Sequence, residues 1–123
     1  MLLTGCGLEE KTLAEFYEED LKDVSKIVMT DGNTGYKETV TDKEAVNTFI
    51  DEIKDIKFLP EENQEARTGF NYSISFFDGN EETFQFGPTQ VNENYYYTEP
   101  DIHPILTDFY KNMSEINGRI FYF

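Results

Sequence analysis

The sequence has one cysteine, one histidine and no tryptophan among its 123 residues, and it has no long apolar run. One cysteine cannot form an internal disulfide, and with one histidine it cannot supply the clustered ligands of a zinc site. The longest uninterrupted apolar run is Ile120-Phe121-Tyr122-Phe123, whereas a membrane-spanning helix needs roughly eighteen such residues. Motifs for phosphate, dinucleotide, metalloprotease and serine-hydrolase chemistry are also missing, so we expect no metal and no cofactor.

Basic residues are scarce. Lys and Arg together number 10 against 25 Asp and Glu, which gives a net charge of -15 at pH 7. A surface of this sign repels phosphate backbones and anionic lipid headgroups. The composition therefore excludes nucleic acid as a partner.

Large apolar side chains are plentiful. The chain has 11 Phe and 8 Tyr, and 38% of its residues are hydrophobic. A chain of this length buries roughly two-thirds of its unfolded surface when it folds. We therefore expect a single domain over residues 9–123 that needs no disulfide or metal to hold it.

The cysteine has a distinctive setting. Leu3, Thr4 and Gly5 precede Cys6, and this segment resembles the lipobox of bacterial lipoproteins, with an aliphatic residue three positions before the cysteine and a small residue just before it. The resemblance implies that the Cys6 thiol receives a diacylglyceryl group and that Cys6 becomes the N-terminus after cleavage. Each buried lipid CH₂ would add about 0.8 kcal/mol of membrane affinity.

Only Met1-Leu2-Leu3 stands where the basic and apolar regions of a complete signal would lie. We therefore interpret residues 1–8 as the remnant of a lipoprotein signal with its anchor site, left by a late start or a cut within the signal. The alternative is a cysteine that is buried or incidental in a frayed N-terminus.

Apolar residues spaced three and four apart predict three amphipathic helices. The first covers residues 9–24 and contains a capping box of Thr12 and Glu15. The second begins with a capping box of Thr41 and Glu44 and runs to about residue 54. The third begins at residue 100 or 101 and ends at Asn117-Gly118.

Alternating apolar and polar residues, joined by Asp/Asn/Gly turns, predict strands arranged as hairpins. The predicted strands cover residues 25–30, 36–40, 56–59, 70–76, 84–86, 89–92, 95–98 and 119–123. Residues 61–68 are polar and predict a loop. The turn Asp31-Gly32-Asn33-Thr34-Gly35 also resembles a calcium loop in composition, but turn chemistry explains it better because Gly35 stands where a ligand is needed.

This order of elements indicates an α+β fold in which an antiparallel sheet of hairpins packs against two or three amphipathic helices. The predicted core consists of Phe49, Ile50, Ile74, Phe76, Leu106 and Phe109. Together, the lipobox, the acidic first helix, the Asp-Gly-Asn-Thr-Gly hairpin and the Tyr-Tyr-Tyr-Thr segment resemble small uncharacterised lipoproteins of Gram-positive bacteria. That resemblance implies a location outside the cytoplasm, on the cell membrane, and no mechanism.

His103 is the only histidine in the sequence, so any histidine-dependent catalysis must use it. The sequence identifies no Ser or Thr partner for it, and most carboxylates lie in solvated runs such as Glu61-Glu62 and Glu81-Glu82. We therefore expect no catalytic residues. A helix-start residue that faces solvent is the favoured interpretation of His103.

Tyr95, Tyr96 and Tyr97 form the most unusual local feature. On a strand, Tyr95 and Tyr97 share one face and Tyr96 takes the other. One interpretation is a platform that stacks on a sugar or a peptide, in which case Tyr96→Ala should weaken binding by roughly 1–2 kcal/mol. The other is a strand whose inner rings belong to the core and whose outer ring packs under the third helix.

The sequence thus predicts a lipid-anchored extracytoplasmic protein, not an enzyme, that binds a protein or a glycan of the cell envelope. Two alternatives stay open. One is an inhibitor or immunity protein, for which the negative charge would steer a basic secreted enzyme or toxin. The other is a small envelope hydrolase that uses His103 and carboxylates.

Overall fold

The computed structural model describes residues 9–17, 20–65 and 72–116. Its strands are β1 (Lys11–Thr12), β2 (Lys26–Asp31), β3 (Lys37–Val40), β4 (Lys57–Pro60), β5 (Tyr72–Asp78), β6 (Glu81–Phe86), β7 (Gln90–Val91) and β8 (Asn94–Glu99). Its helices are α1 (Leu13–Phe16), α2 (Lys43–Ile53) and α3 (His103–Ile116), with a 3₁₀-helix at Leu21–Asp23.

All the strands join in one antiparallel sheet with the order β1-β4-β8-β7-β6-β5-β2-β3. Hairpins form the pairs β2–β3, β5–β6 and β7–β8, and β2 also pairs with β5. The predicted α+β fold, an antiparallel sheet of hairpins packed against helices, is confirmed.

The register divides the sheet into two unlike faces. Because side chains alternate along a strand, Ile27 lies opposite Phe76 while its neighbour Val28 lies opposite Ser75. We call the first side the core face, which carries Ile27, Met29, Phe58, Ile74, Phe76, Phe86, Val91 and Tyr96. We call the second side the open face, which carries Val28, Leu59, Ser73, Ser75, Gln85, Gln90, Tyr95 and Tyr97.

The helices pack on the core face through aromatic rings. From α1, Phe16 meets Phe58 edge to face with centroids 5.7 Å apart, and it meets Tyr96 in the same way at 5.5 Å. Phe49 of α2 stacks on Phe109 of α3 at 3.9 Å. Aromatic rings prefer such edge-to-face and stacked arrangements, and these contacts fix how the helices sit on the sheet.

The predicted core is confirmed for five of its six members. Phe49, Ile50, Ile74, Phe76 and Leu106 are at most 5% exposed. Phe109 is only partly buried, because it lies at the outer side of its stack on Phe49.

The first helix is much shorter than predicted. In place of a helix over residues 9–24, the chain forms β1, one turn of α1, and the separate 3₁₀-helix. Long-range hydrogen bonds fix the start of α1, since the backbone N–H groups of Leu13 and Ala14, its first two residues, donate to the carbonyls of Ile56 and Lys54. The capping box of Thr12 and Glu15 is confirmed.

The N-cap of the second helix lies one residue later than predicted. Asp42, not Thr41, is the N-cap, and its Oδ2 accepts a hydrogen bond from the Ala45 N–H at 3.0 Å. The predicted capping box of Thr41 with Glu44 is therefore wrong. A carboxylate at this position also interacts favourably with the positive end of the helix dipole, so Asp suits it better than Thr.

Several predictions concern residues outside those described. They are the lipobox with Cys6, the second half of the 61–68 loop, the first residues of the 70–76 strand, the helix end at Asn117-Gly118 and the strand at 119–123.

Candidate ligand-binding site

The three consecutive tyrosines differ in exposure. Tyr96 belongs to the core face, is 3% exposed and contacts the rings of Phe16 and Phe58. Burial raises the pKa of its hydroxyl, and a side-chain hydrogen bond with Asn94 partly offsets that effect. Tyr96 is therefore not the exposed ring of a platform, and Tyr96→Ala would remove a core side chain.

Tyr97 is the exposed ring of this segment, at 46%. Its cross-strand neighbour on the open face is Leu59 of β4. Phe77, which lies on the same side, is covered by Lys26, whose Nζ lies 4.4 Å from the ring centroid. Tyr97 and Leu59 thus form an apolar pair on the side of the sheet opposite the helices.

Tyr95 lies between this pair and a cavity, and a long-range brace holds its backbone. The Tyr95 N–H donates to Oε1 of Gln64 at 2.8 Å, and Nε2 of Gln64 donates to the Tyr95 carbonyl at 2.9 Å. Nε2 also donates to the carbonyl of Glu61. A single amide therefore satisfies both backbone groups of Tyr95 and ties the 61–65 segment to β8.

The cavity has a volume of about 840 Å³ and lies where β5, β6, β7 and the turn after β7 meet. Its lining includes Ser73, Gln85, Gln90, Asn92, Glu93 and Tyr95. Nε2 of Gln85 donates to Oγ of Ser73 at 2.9 Å, which orders two of the lining side chains. Gly87 belongs to the lining as well, and a Cβ there would approach the Tyr72 carbonyl to 3.2 Å.

The turn at the cavity rim has an unusual backbone. Asn92 and Glu93 both have positive φ, at 52° and 69°. Two successive left-handed residues match a type I′ turn, which suits a tight hairpin. Asn tolerates this conformation, but a side chain such as Glu costs free energy there, and sites of backbone strain cluster at functional positions.

His103 is not part of the cavity lining, although it neighbours Tyr72, which is. It begins α3, its side chain is exposed, and its ring centroid is 5.8 Å from that of Tyr72. Its backbone N–H donates to Oδ1 of Asp101. Within residues 9–17, 20–65 and 72–116, the His103 ring forms no hydrogen bond to a carboxylate or a hydroxyl.

Glu38 is the one charged side chain that is buried among the described residues, at 2% exposure. It lies on the core face opposite Met29, away from the cavity. The described part of the chain contains no group of three or more His, Cys, Asp or Glu side chains placed to hold a metal.

Sequence reasoning selected Tyr95 and Tyr97 but missed Gln64, Gln85, Gln90 and Asn92. The Asn-Glu-Asn turn was visible as a turn, yet nothing in the spacing of Gln64 indicates that it contacts a residue 31 positions away. Only the folded register brings these amides to the open face.

Comparison with known proteins identifies no relative. The sequence matches no protein-family model, no curated protein sequence and no solved structure. Among the residues described, no helix has the length and apolar character needed to cross a membrane.

Proposed function

We propose that this chain is the extracytoplasmic domain of a membrane-anchored lipoprotein and that it acts by binding a protein or an envelope ligand. The observation that carries the binding role is the exposed Tyr97 beside Leu59 on the open face, with the cavity reached two residues earlier in β8, at Tyr95. The lipobox-like setting of Cys6 supports the anchor.

The open face suits binding for physical reasons. Tyr offers a large apolar area with few rotamers to lose and a hydroxyl that still forms hydrogen bonds, so it is frequent at binding hot spots. A sheet face is also rigid, which lowers the entropy lost on association. Binding through such a face requires no titrating residue.

The binding role is tested by affinity capture from a cell-envelope extract. We expect Tyr97→Ser to lose the species that the wild type retains, because the exposed ring makes the contact. The matched control is Tyr36→Ser, which removes a second exposed tyrosine, 58% exposed, just before β3 at the far end of the sheet. Equal capture by wild type and Tyr97→Ser would contradict the proposal.

The variant His103→Ala distinguishes the proposed binding role from hydrolase activity. It should leave the captured species unchanged, because His103 does not line the cavity. Turnover of an envelope substrate by the wild type that His103→Ala abolishes would instead favour the enzyme.

The anchor is tested separately. The chain is expressed behind the basic and apolar regions of a bacterial lipoprotein signal and labelled with radioactive palmitate. We expect label and membrane association in the wild type and neither in Cys6→Ser, because only the thiol can accept the diacylglyceryl group. A serine variant that stays in the membrane fraction would remove the lipoprotein interpretation.

A further inference from the structure

We propose that the cavity beside Tyr95 binds an uncharged saccharide. This inference rests on the proposed function, since Ser73, Gln85, Gln90 and Tyr95 of the lining belong to the open face, and it names the chemical class of the ligand. Charge, hydrogen-bonding capacity, aromatic surface and rigidity each support it.

The charge of the lining points to a neutral ligand. The protein has 28% charged residues, but Glu93 is the one charged residue among those that line this cavity. A second cavity, of about 610 Å³ beside α2, shows the contrast, because its lining includes Asp20, Lys22, Lys43, Asp51 and Lys54. A charged ligand would lose hydration in this cavity and meet almost no opposite charge in return, whereas an uncharged ligand does not carry that cost.

The polar groups of the lining suit hydroxyls. Gln85, Gln90 and Asn92 supply side-chain amides, and each amide both donates and accepts hydrogen bonds. Sugar hydroxyls also do both, so one amide can bind two neighbouring hydroxyls. The side chains of Gln90 and Asn92 form no hydrogen bond with any other described residue, and both are exposed.

The lining also supplies apolar surface. Tyr95 borders the cavity from the open face and is 9% exposed. Phe84 and Phe86 also border it, but they lie on the core face and stack on each other. The face of an aromatic ring carries negative potential, which attracts the weakly positive C–H groups of a pyranose ring. The amides and the edge of the cavity formed by Tyr95 together therefore match both surfaces of a sugar, the hydroxyl edge and the C–H face.

The site is held before any ligand arrives. The Gln64 brace fixes the backbone of Tyr95, and the hydrogen bond from Gln85 to Ser73 orders a second part of the lining. The left-handed backbone conformation of Asn92 and Glu93 fixes the shape of the turn at the cavity rim. Because these groups are already ordered in the free protein, the protein loses less conformational entropy when a sugar binds.

The test is a nuclear magnetic resonance titration of the folded chain with three neutral probes, triacetylchitotriose, maltotriose and cellotriose. A trilysine peptide serves as a cationic probe. We expect at least one trisaccharide to shift the side-chain amide resonances of Gln85, Gln90 and Asn92 at millimolar concentration. We expect trilysine to leave them unchanged.

Two variants test the assignment of the site. Gln90→Ala and Asn92→Gly each remove one amide, and glycine accepts the positive φ of position 92 without strain. Each should weaken the affinity for the sugar about fivefold or more, the usual effect of one lost hydrogen bond. Asn47→Ala, which removes an exposed amide from the second cavity, should not change it.

The proposal is overturned if no trisaccharide shifts these resonances, if both variants bind as well as the wild type, or if only trilysine binds. The capture experiment with Tyr97→Ser is independent of these outcomes. If that variant loses its partner while the sugars fail, the ligand class is wrong and the binding face stands. If both experiments fail, the proposed function fails as well.

Discussion

At the scale of single residues, Phe76 is the side chain whose loss should destabilise the domain most clearly. It is fully buried and contacts the rings of Tyr17, Phe84 and Phe86. We expect Phe76→Ala to lower the free energy of unfolding by about 3–5 kcal/mol, because it removes apolar burial and leaves a cavity.

The measurement for Phe76→Ala is a urea denaturation curve followed by circular dichroism. Tyr36→Ala, at an exposed position, should cost less than about 1 kcal/mol. An unchanged urea midpoint for Phe76→Ala would contradict the assignment of this residue to the core face.

Tyr96 should make stability depend on pH in alkaline solution. Burial raises the pKa of its hydroxyl above the ordinary value of 10.0, so the unfolded chain releases this proton at lower pH than the folded protein does. The stability linked to it is complete below about pH 10 and is lost as pH rises from there toward the folded pKa.

Replacing the hydroxyl tests this linkage. Tyr96→Phe cannot ionise at this position, so its free energy of unfolding should fall less between neutral pH and about pH 11 than that of the wild type. Tyr36→Phe, at an exposed position, is the control and should follow the wild-type curve. Equal slopes for wild type and Tyr96→Phe would argue against a buried hydroxyl.

At the scale of elements, the cap of α2 distinguishes the observed helix start from the predicted one. We expect Asp42→Ala to cost about 1 kcal/mol of stability, because the Ala45 N–H loses its acceptor. Thr41→Ala should change stability by less than about 0.5 kcal/mol. Thermal denaturation of both variants gives the comparison, and a larger loss at Thr41 would restore the predicted capping box.

Replacing Glu93, in the turn between β7 and β8, should stabilise the protein. The φ of 69° at Glu93 is costly for a residue with a Cβ, and Asn-Gly is the preferred pair for a type I′ turn. We expect Glu93→Gly to raise the free energy of unfolding by roughly 1 kcal/mol. Glu93→Ala, which keeps the Cβ, is the matched control and should show no such gain in the same denaturation experiment.

The sequence was sufficient for elements whose signals are local. The alternation of Tyr72, Ile74 and Phe76 predicts β5, and the apolar spacing from Val46 to Ile53 predicts α2, because each pattern reflects one buried face. It was insufficient where tertiary contacts override local preference. The hydrogen bonds from Leu13 and Ala14 to Ile56 and Lys54 fix the start of the first helix, and no local pattern encodes them.

The binding face was predictable only in part for a related reason. Alternation shows that Tyr96 points away from Tyr95 and Tyr97. It does not show which side faces the core. That depends on the pairing of Tyr96 with Pro60 and on Phe16 lying over both Tyr96 and Phe58. Gln85 lies on β6, Gln90 on β7 and Asn92 in the turn after β7, so only the assembled sheet brings these amides together.

At the scale of the whole molecule, the two faces of the sheet differ in what covers them. Among the residues described, every aromatic contact between a helix and the sheet lies on the core face, so the helices stabilise the sheet from one side. The opposite side keeps Tyr97, Leu59 and the neutral cavity. In a protein of net charge -15, the lining of this cavity is a local region of low charge.

The central claim, that the open face is the binding surface, is tested most directly by photo-cross-linking in intact cell envelopes. A photoreactive amino acid replaces either Gln90, exposed on the open face opposite Tyr95, or Asp108, exposed on α3. The account predicts a specific adduct with an envelope component from position 90 and none from position 108. Adducts from position 108 with none from position 90 would contradict it.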